Sequence, residues 1–282
     1  MLVDRLSGKA SAQKIVLNQI DGQATVGHLA AAALNSRQLD RWLVEAANDR
    51  PLSYILGHQP FAGLKIQTDR RALIPRPETE QLYELIISRL VQAPRWMIDL
   101  GTGSGPLAIA LKKHFSSCQV LASDISRAAL NLAKANAKNN QAAITFVQSD
   151  LWANIPGRPF DLIVANLPYI PSGEIARLPR RIKDFEPHLA LNGQADDGGA
   201  IISRMLAGAG KFLTANGQIY LEIHSTHRSK IQSLVKRFLP NRKVIFHFDL
   251  AGQTRFAVIG PDATSRASLF RRIEEDYFWL KP

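Results

Sequence analysis

The sequence predicts an α/β fold: a mostly parallel sheet wrapped by helices on both faces, preceded by a small helical bundle. Three observations carry this. From Leu73 onward, short apolar runs of strand type alternate with amphipathic segments of helix length, the pattern of strands joined by crossover helices. The last two apolar runs, KVIFHFDL and TRFAVIG, are joined only by the short loop Ala251-Gly252-Gln253, so they pair as an antiparallel hairpin at one edge. Residues 1–50 carry no strand pattern; their apolar residues recur at helical spacing.

The elements follow in order. Val26, Leu29, Ala32 and Ala33 mark one face of a helix, and Leu39, Trp42, Leu43, Ala46 and Ala47 mark the face of the next. Asn48-Asp49-Arg50-Pro51 stops that stretch. The segment PLSYILGHQPFAGLKIQTD, with its Gly and Pro punctuation and alternating Leu64 and Ile66, reads as a short helix and a β-hairpin. Pro77 opens a helix as its first residue, with Glu78 and Glu80 in the first turn, where the helix dipole favours acids. RWMIDLG is a buried strand before the helix PLAIALKKHF. QVLASDI precedes a Ser-capped helix, SRAALNLAKANAKNN. AITFVQSD, FDLIVAN and GQIYLEI complete the parallel set before the hairpin. The tail after Gly260 reads as a capping helix. The expected boundaries are 1–58 for a helical recognition domain, 59–75 for a β-hairpin linker, 76–260 for the sheet domain and 261–282 for the tail.

Composition narrows the class. The 282 residues are 46% hydrophobic and 21% charged, enough to bury a core. The single cysteine, Cys118, excludes an intrachain disulfide and makes a cysteine metal site unexpected. MLVDRLSGKA carries no long apolar stretch of signal-peptide type, and no apolar run reaches membrane-spanning length, so a cytoplasmic setting is the expectation. Lys and Arg total 35 against 24 Asp and Glu, giving +11, which fits an acidic partner or simple solubility.

Asp99-Leu100-Gly101-Thr102-Gly103-Ser104-Gly105 follows the first strand of the sheet. Its glycines permit backbone angles closed to other residues and let a ligand lie against the main chain. The spacing is G-x-G-x-G, with Pro106 where dinucleotide enzymes carry their third glycine, so a pyrophosphate is not expected. The loop resembles motif I of S-adenosylmethionine enzymes. Asp124 closes the second strand, where a carboxylate can accept both ribose hydroxyls of an adenosyl group. Asp150 closes the third; by the same resemblance it lies near the adenine edge, with Leu151 or Trp152 to pack the ring.

Asn166-Leu167-Pro168-Tyr169 ends the fourth strand at the same sheet edge. Asn166 offers a side-chain carbonyl, and Leu167 a backbone carbonyl held extended by Pro168. Two converging acceptors fit the two hydrogens of an NH₂ group. The nitrogen of an amide or exocyclic amine is a poor nucleophile, so positioning is the expected catalytic effect, with no strong base. Tyr169 supplies a wall for the planar group.

The tetrad alone does not separate protein from nucleic-acid substrates. PLSYILGHQPFAGLKI and LIPRPETE, FEPHLAL at Phe185 to Leu191, the DGG near Asp197, GQIYLEI and DLAGQTR at Asp249 to Arg255 together resemble the HemK-like protein glutamine methyltransferases, over about nine tenths of the chain. The resemblance implies a Rossmann-like, seven-stranded methyltransferase domain, S-adenosylmethionine as cofactor, and a peptide chain release factor as partner, methylated on the glutamine of its Gly-Gly-Gln motif. It assigns Gly101 to Gly105 and Asp124 to the cofactor and Asn166 to Tyr169 to the glutamine amide. Arg76, Pro77, Glu186 and Pro187 then shape the substrate cleft. A ribosome-associated setting, a monomer, no membrane and no obligatory nucleic acid complete the expectation. The chain departs from the family at Leu167, where proline is usual, at His224, where glycine is usual, and at Phe185, where tyrosine is usual. The alternatives are a ribosomal protein glutamine methyltransferase, a nucleic-acid adenine N6-methyltransferase, and a non-catalytic adaptor. His224 and His227 lack an accompanying carboxylate cluster, so a metal is not expected.

Overall fold

The computed structural model describes residues 35–90 and 92–261. The helix expected around Val26 to Ala33 and the tail helix beyond Pro261 lie outside them. The described chain begins with α1 (Ser36–Ala47), capped by the Asn35 side chain, which accepts from the Gln38 amide at 2.9 Å. Leu43 on its apolar face packs with Ile55 of α2 (Leu52–Leu56) in a small cluster of its own. The hairpin β1 (His58–Phe61) and β2 (Leu64–Gln67) follows. Its turn is tied to α3 (Pro77–Arg89): Glu80 Oε1 accepts from the Ala62 amide at 2.7 Å. Glu80, expected only to favour the helix dipole, thus also anchors the hairpin.

Seven strands form the sheet: β3 (Trp96–Leu100), β4 (Gln119–Asp124), β5 (Thr145–Gln148), β6 (Phe160–Ala165), β7 (Leu213–Glu222), β8 (Arg242–Phe248) and β9 (Thr254–Pro261). Their order is β5-β4-β3-β6-β7-β9-β8. The first five run parallel, and β9 lies antiparallel between β7 and β8. The antiparallel pair therefore sits at one edge, as its short loop requires. β7 begins at Leu213, four residues before the predicted GQIYLEI run, and its register with β6 shifts between Phe160 and Leu162.

Alternation along the strands builds two cores. Met97, Leu162 and Val164 face α3 and α4 (Pro106–His114), packing with Leu82, Ile86 and Ile109. Ile98, Leu100, Ile163 and Ala165 face the other way, toward α7 (Ala200–Ala209) and α8 (Arg228–Phe238), and pack with Met205, Leu206 and Ile231. The helix α5 (Arg127–Asn139), capped by Ser126, and the short α6 (Arg180–Lys183) complete the set. Among the described residues no helix is long and apolar enough to cross a membrane.

Register positions the site. Leu100 pairs with Ser123 on one side and Ala165 on the other, and Ala165 pairs with Leu221. The next residue of each strand or turn is Gly101, Asp124, Asn166 and Glu222, so these four reach one carboxyl edge together. Open parallel sheets bind ligands at that edge, where the strand order reverses.

Candidate active site

The glycine loop turns sharply out of β3. Gly101, Gly103 and Gly105 all have positive φ, at 71°, 57° and 86°. A Cβ on Gly105 would stand 3.2 Å from Ala133 Cβ, so α5 packs on the loop only because the side chain is missing. Gly105 then caps α4, with Pro106 as first residue. The loop is held from below. Thr102 donates its hydroxyl to Asp99 Oδ2 at 2.7 Å and its amide to the Ser123 carbonyl at 2.9 Å. Gly103 donates its amide to Asp124 Oδ2 at 2.9 Å, and Ser126 donates to Oδ1 at 2.8 Å.

Burial makes both acids unusual. It pushes the Asp99 carboxyl up to about 7, opposed by the Thr102 hydrogen bond and reinforced by nearby Asp124. Burial also raises Asp124, against hydrogen bonds from the Ser126, Gly103 and Ile125 amides.

These residues line a cleft whose floor is the glycine loop and whose walls include Ile125, Leu151 and Pro187. Asp150 lies at its exposed rim, bonded to Arg204 at 2.7 Å. Leu151 lines the cleft, in the left-handed region at φ 49°. Trp152, an equal candidate from sequence, is turned into the protein: its ring stacks on Phe212 at 4.5 Å and its Nε1 donates to the Met205 carbonyl. Packing against α7 outcompetes a place at the cleft.

The tetrad closes one end of the cleft with Asn166, Leu167 and Pro168, while Tyr169 opens onto a second cavity beside it. Ile74, Pro75 and Arg76 line both. The second cavity also takes in Pro77, Glu186, Arg181 and Arg255. Glu186 is buried; its Oε2 accepts from the Ile74 amide at 3.0 Å and its Oε1 bonds Arg76 Nη2 at 2.5 Å. That pair fixes the LIPRPETE segment against FEPHLAL. Pro187 lies on the first cleft and Pro77 on the second, so the four residues expected to shape one cleft are split between two connected spaces.

Three residues absent from the sequence-based candidates support the site, and one of them, Thr79, lines the cleft itself. Asn166 Nδ2 donates to Thr79 Oγ1 at 2.8 Å, Thr79 donates to Glu222 Oε2 at 2.7 Å, and the Tyr169 hydroxyl donates to Glu222 Oε1 at 2.9 Å. Glu222 is 1% exposed, and burial raises its pKa. A lone glutamate closing the apolar run IYLEI was the available signal for it. Asn136 of α5 accepts from the Gln67 amide and donates to the carbonyls of Gln67 and Ser104, joining the hairpin to the glycine loop. Nothing in the sequence pattern distinguishes Asn136 from the surface asparagines near it.

A five-stranded parallel sheet closed by an antiparallel pair, with a glycine-floored cleft at its carboxyl edge, defines the Rossmann-like methyltransferases. The Methyltransferase small domain model matches residues 79–194. A solved ribosomal protein L11 methylase from Lactobacillus delbrueckii subsp. bulgaricus shares the fold, at 24% identity and TM-score 0.53, over 70% of this chain and 85% of that one. The release factor glutamine methyltransferase of Streptococcus pneumoniae is 39% identical over 215 residues, 76% of each chain. That of Lactococcus lactis subsp. lactis is 40% identical over 207 residues, 73% of this chain and 76% of the relative. The chain belongs to the release factor glutamine methyltransferase family.

The cleft fits an adenosyl cofactor on its own chemistry. Asp124 Oδ2 accepts from Gly103 and Oδ1 from Ser126, and with the Ile125 amide also bonded the carboxylate, which lines the cleft, still has acceptor capacity left for a ribose hydroxyl. Ser104 is among the residues lining the cleft, and its hydroxyl is buried without a hydrogen-bond partner in the protein. Buried hydroxyls are rarely left so, and a bound ligand would satisfy it.

Proposed function

We infer that this chain methylates the side-chain amide nitrogen of the glutamine in the Gly-Gly-Gln motif of a release factor, with S-adenosylmethionine as donor. Family membership supports the reaction and substrate class. The observation that carries the reading at the level of chemistry is the hydrogen bond from Asn166 Nδ2 to Thr79, which leaves the Asn166 carbonyl as the end available to a substrate.

The cofactor supplies an electrophilic methyl on a sulfonium. The protein's part is positioning. In the proposed complex, Asn166 Oδ1 and the Leu167 carbonyl each take one hydrogen of the glutamine NH₂, which turns the nitrogen lone pair toward the methyl. No side chain need act as a strong base: as the N–C bond would form and the sulfonium S–C bond break to leave a neutral thioether, the N–H proton would become acidic and pass to solvent. Leu167, in the position where proline is usual, still offers its carbonyl, and its buried side chain packs against Gly101. Asp99, Gly101 to Gly105 and Asp124 form the cofactor's seat, with Asp150 and Leu151 at its far end. Arg76, Pro77, Glu186 and Pro187 frame the approach of the glutamine loop. With this function go a cytoplasmic, ribosome-associated setting, a monomeric enzyme and no obligatory nucleic acid; of these, only the setting draws on the translation-related names of the relatives.

The test is methyl transfer from labelled cofactor to the cognate release factor, to a ribosomal protein pool and to ribosomal RNA, offered separately. Label on the release factor alone supports the reading. Label on RNA adenine instead sinks it while leaving the NH₂ chemistry of the tetrad intact.

A further inference from the structure

Asn166, Tyr169, Thr79 and Glu222 form one directed chain of hydrogen bonds, drawn from three places in the fold: the first turn of α3, the loop after β6 and the end of β7. A hydroxyl has one hydrogen to give. Thr79 gives its hydrogen to Glu222 Oε2, so only lone pairs remain to face Asn166. The Asn166 amide must therefore present Nδ2 to Thr79. Rotated by half a turn, its Oδ1 would meet those lone pairs, and its Nδ2 would point at the substrate instead. Tyr169 spends its hydrogen on Glu222 Oε1 and is held at the wall of the second cavity. Ionised, Glu222 accepts twice and gives nothing; protonated, it would give a hydrogen to one of these two partners.

Resting on the methyltransferase reading above, we propose that Glu222 and Thr79 are positioning residues that fix the direction of the Asn166 amide, and so make the site select a group that donates two hydrogens. A glutamine amide satisfies the Asn166 and Leu167 carbonyls. A glutamate carboxylate in the same place meets acceptor with acceptor and is rejected. The carboxylate of Glu222 matters for the same reason. A glutamine there would place an NH₂ against Thr79 or Tyr169 and reverse one link.

The experiment is steady-state kinetics of the full chain, with whichever NH₂-bearing substrate the wild type methylates, for Thr79→Val, Thr79→Ser and Glu222→Gln. Cofactor affinity is measured by titration and folding by thermal melting. The expected result is a fall in kcat of about tenfold to a hundredfold for Thr79→Val and Glu222→Gln, the loss of one oriented hydrogen bond. The cofactor Kd stays within about twofold for Glu222→Gln, since Glu222 does not line the cleft; Thr79 does line it, so Thr79→Val is judged against Thr79→Ser, which keeps the hydroxyl and is expected to keep kcat. If Thr79→Val loses its fold, Thr79→Ala, which also lacks the hydroxyl, gives the same readout. Wild-type kcat in both variants, or a Thr79→Ser enzyme as slow as Thr79→Val, overturns the proposal. A wild type that labels only RNA overturns the glutamine reading alone, because the Thr79 series then reports on an adenine NH₂.

Discussion

Leu167 Cδ2 lies 2.9 Å from the point where a Cβ on Gly101 would stand. The tetrad and the glycine loop are therefore packed against each other through a missing side chain. Gly101 also has φ 71°, a conformation that strains any residue with a Cβ. Gly101→Ala should lower stability by about 1–3 kcal/mol and weaken cofactor binding. Leu167→Ala in the same chain should recover part of the loss by removing the contact while the backbone strain remains. Thermal melting of the two single variants and the double variant measures that coupling, and strict additivity would contradict the contact.

Asp99 should make both stability and cofactor binding depend on pH. Burial holds its carboxyl at about 7, well above the unfolded value. Between about pH 4 and the folded value, the folded chain keeps a proton that the unfolded chain has released, so this contribution to stability falls as pH rises. Ligand-free Asp99→Asn should therefore melt above wild type at about pH 8, with the gap closing near pH 5. A cationic cofactor favours the ionised carboxylate, so wild-type affinity should rise between about pH 6 and 8, with proton release. Titration calorimetry in buffers of different ionisation enthalpy reads that release, and Asp99→Asn should abolish it.

Arg76 and Glu186 lock the linker to the loop before α7. Arg76→Ala would leave the Glu186 carboxylate buried with only the Ile74 amide as partner. We expect a loss of about 3 kcal/mol, from an uncompensated buried charge. KM for the release factor should rise while cofactor Kd changes little, as read by paired binding and rate measurements.

Asn136 is wholly buried and satisfies three backbone groups on two segments. Asn136→Ala should cost about 2–4 kcal/mol by leaving those groups unpaired. Urea unfolding gives the stability loss. Because Ser104 sits in the glycine loop, cofactor affinity should fall with it, and an unchanged Kd would mean that the loop holds its shape without the hairpin.

The parallel set of strands and the edge hairpin were legible because periodicity and loop length report burial and direction; the order of the strands within the sheet was not. The glycine loop and tetrad were legible because unusual backbone demands restrict residue choice: three glycines at positive φ, and Pro168 after a strand end. Thr79, Asn136 and Glu222 were not. Their partners lie 87, 69 and 53 residues away, at Asn166, Gln67 and Tyr169, and no local pattern encodes such a pairing. Trp152 misled for a related reason. A tryptophan beside Asp150 suits an adenine ring, but Phe212 and the Met205 carbonyl, distant in sequence, hold it elsewhere.

The most direct measurement is peptide mass spectrometry of the cognate release factor after incubation with the cofactor and either wild type or Asn166→Ala. The account predicts one added methyl on the Gly-Gly-Gln glutamine with wild type and none with the variant, whose cofactor binding persists. A methyl on any other residue, or undiminished methylation by Asn166→Ala, would contradict it.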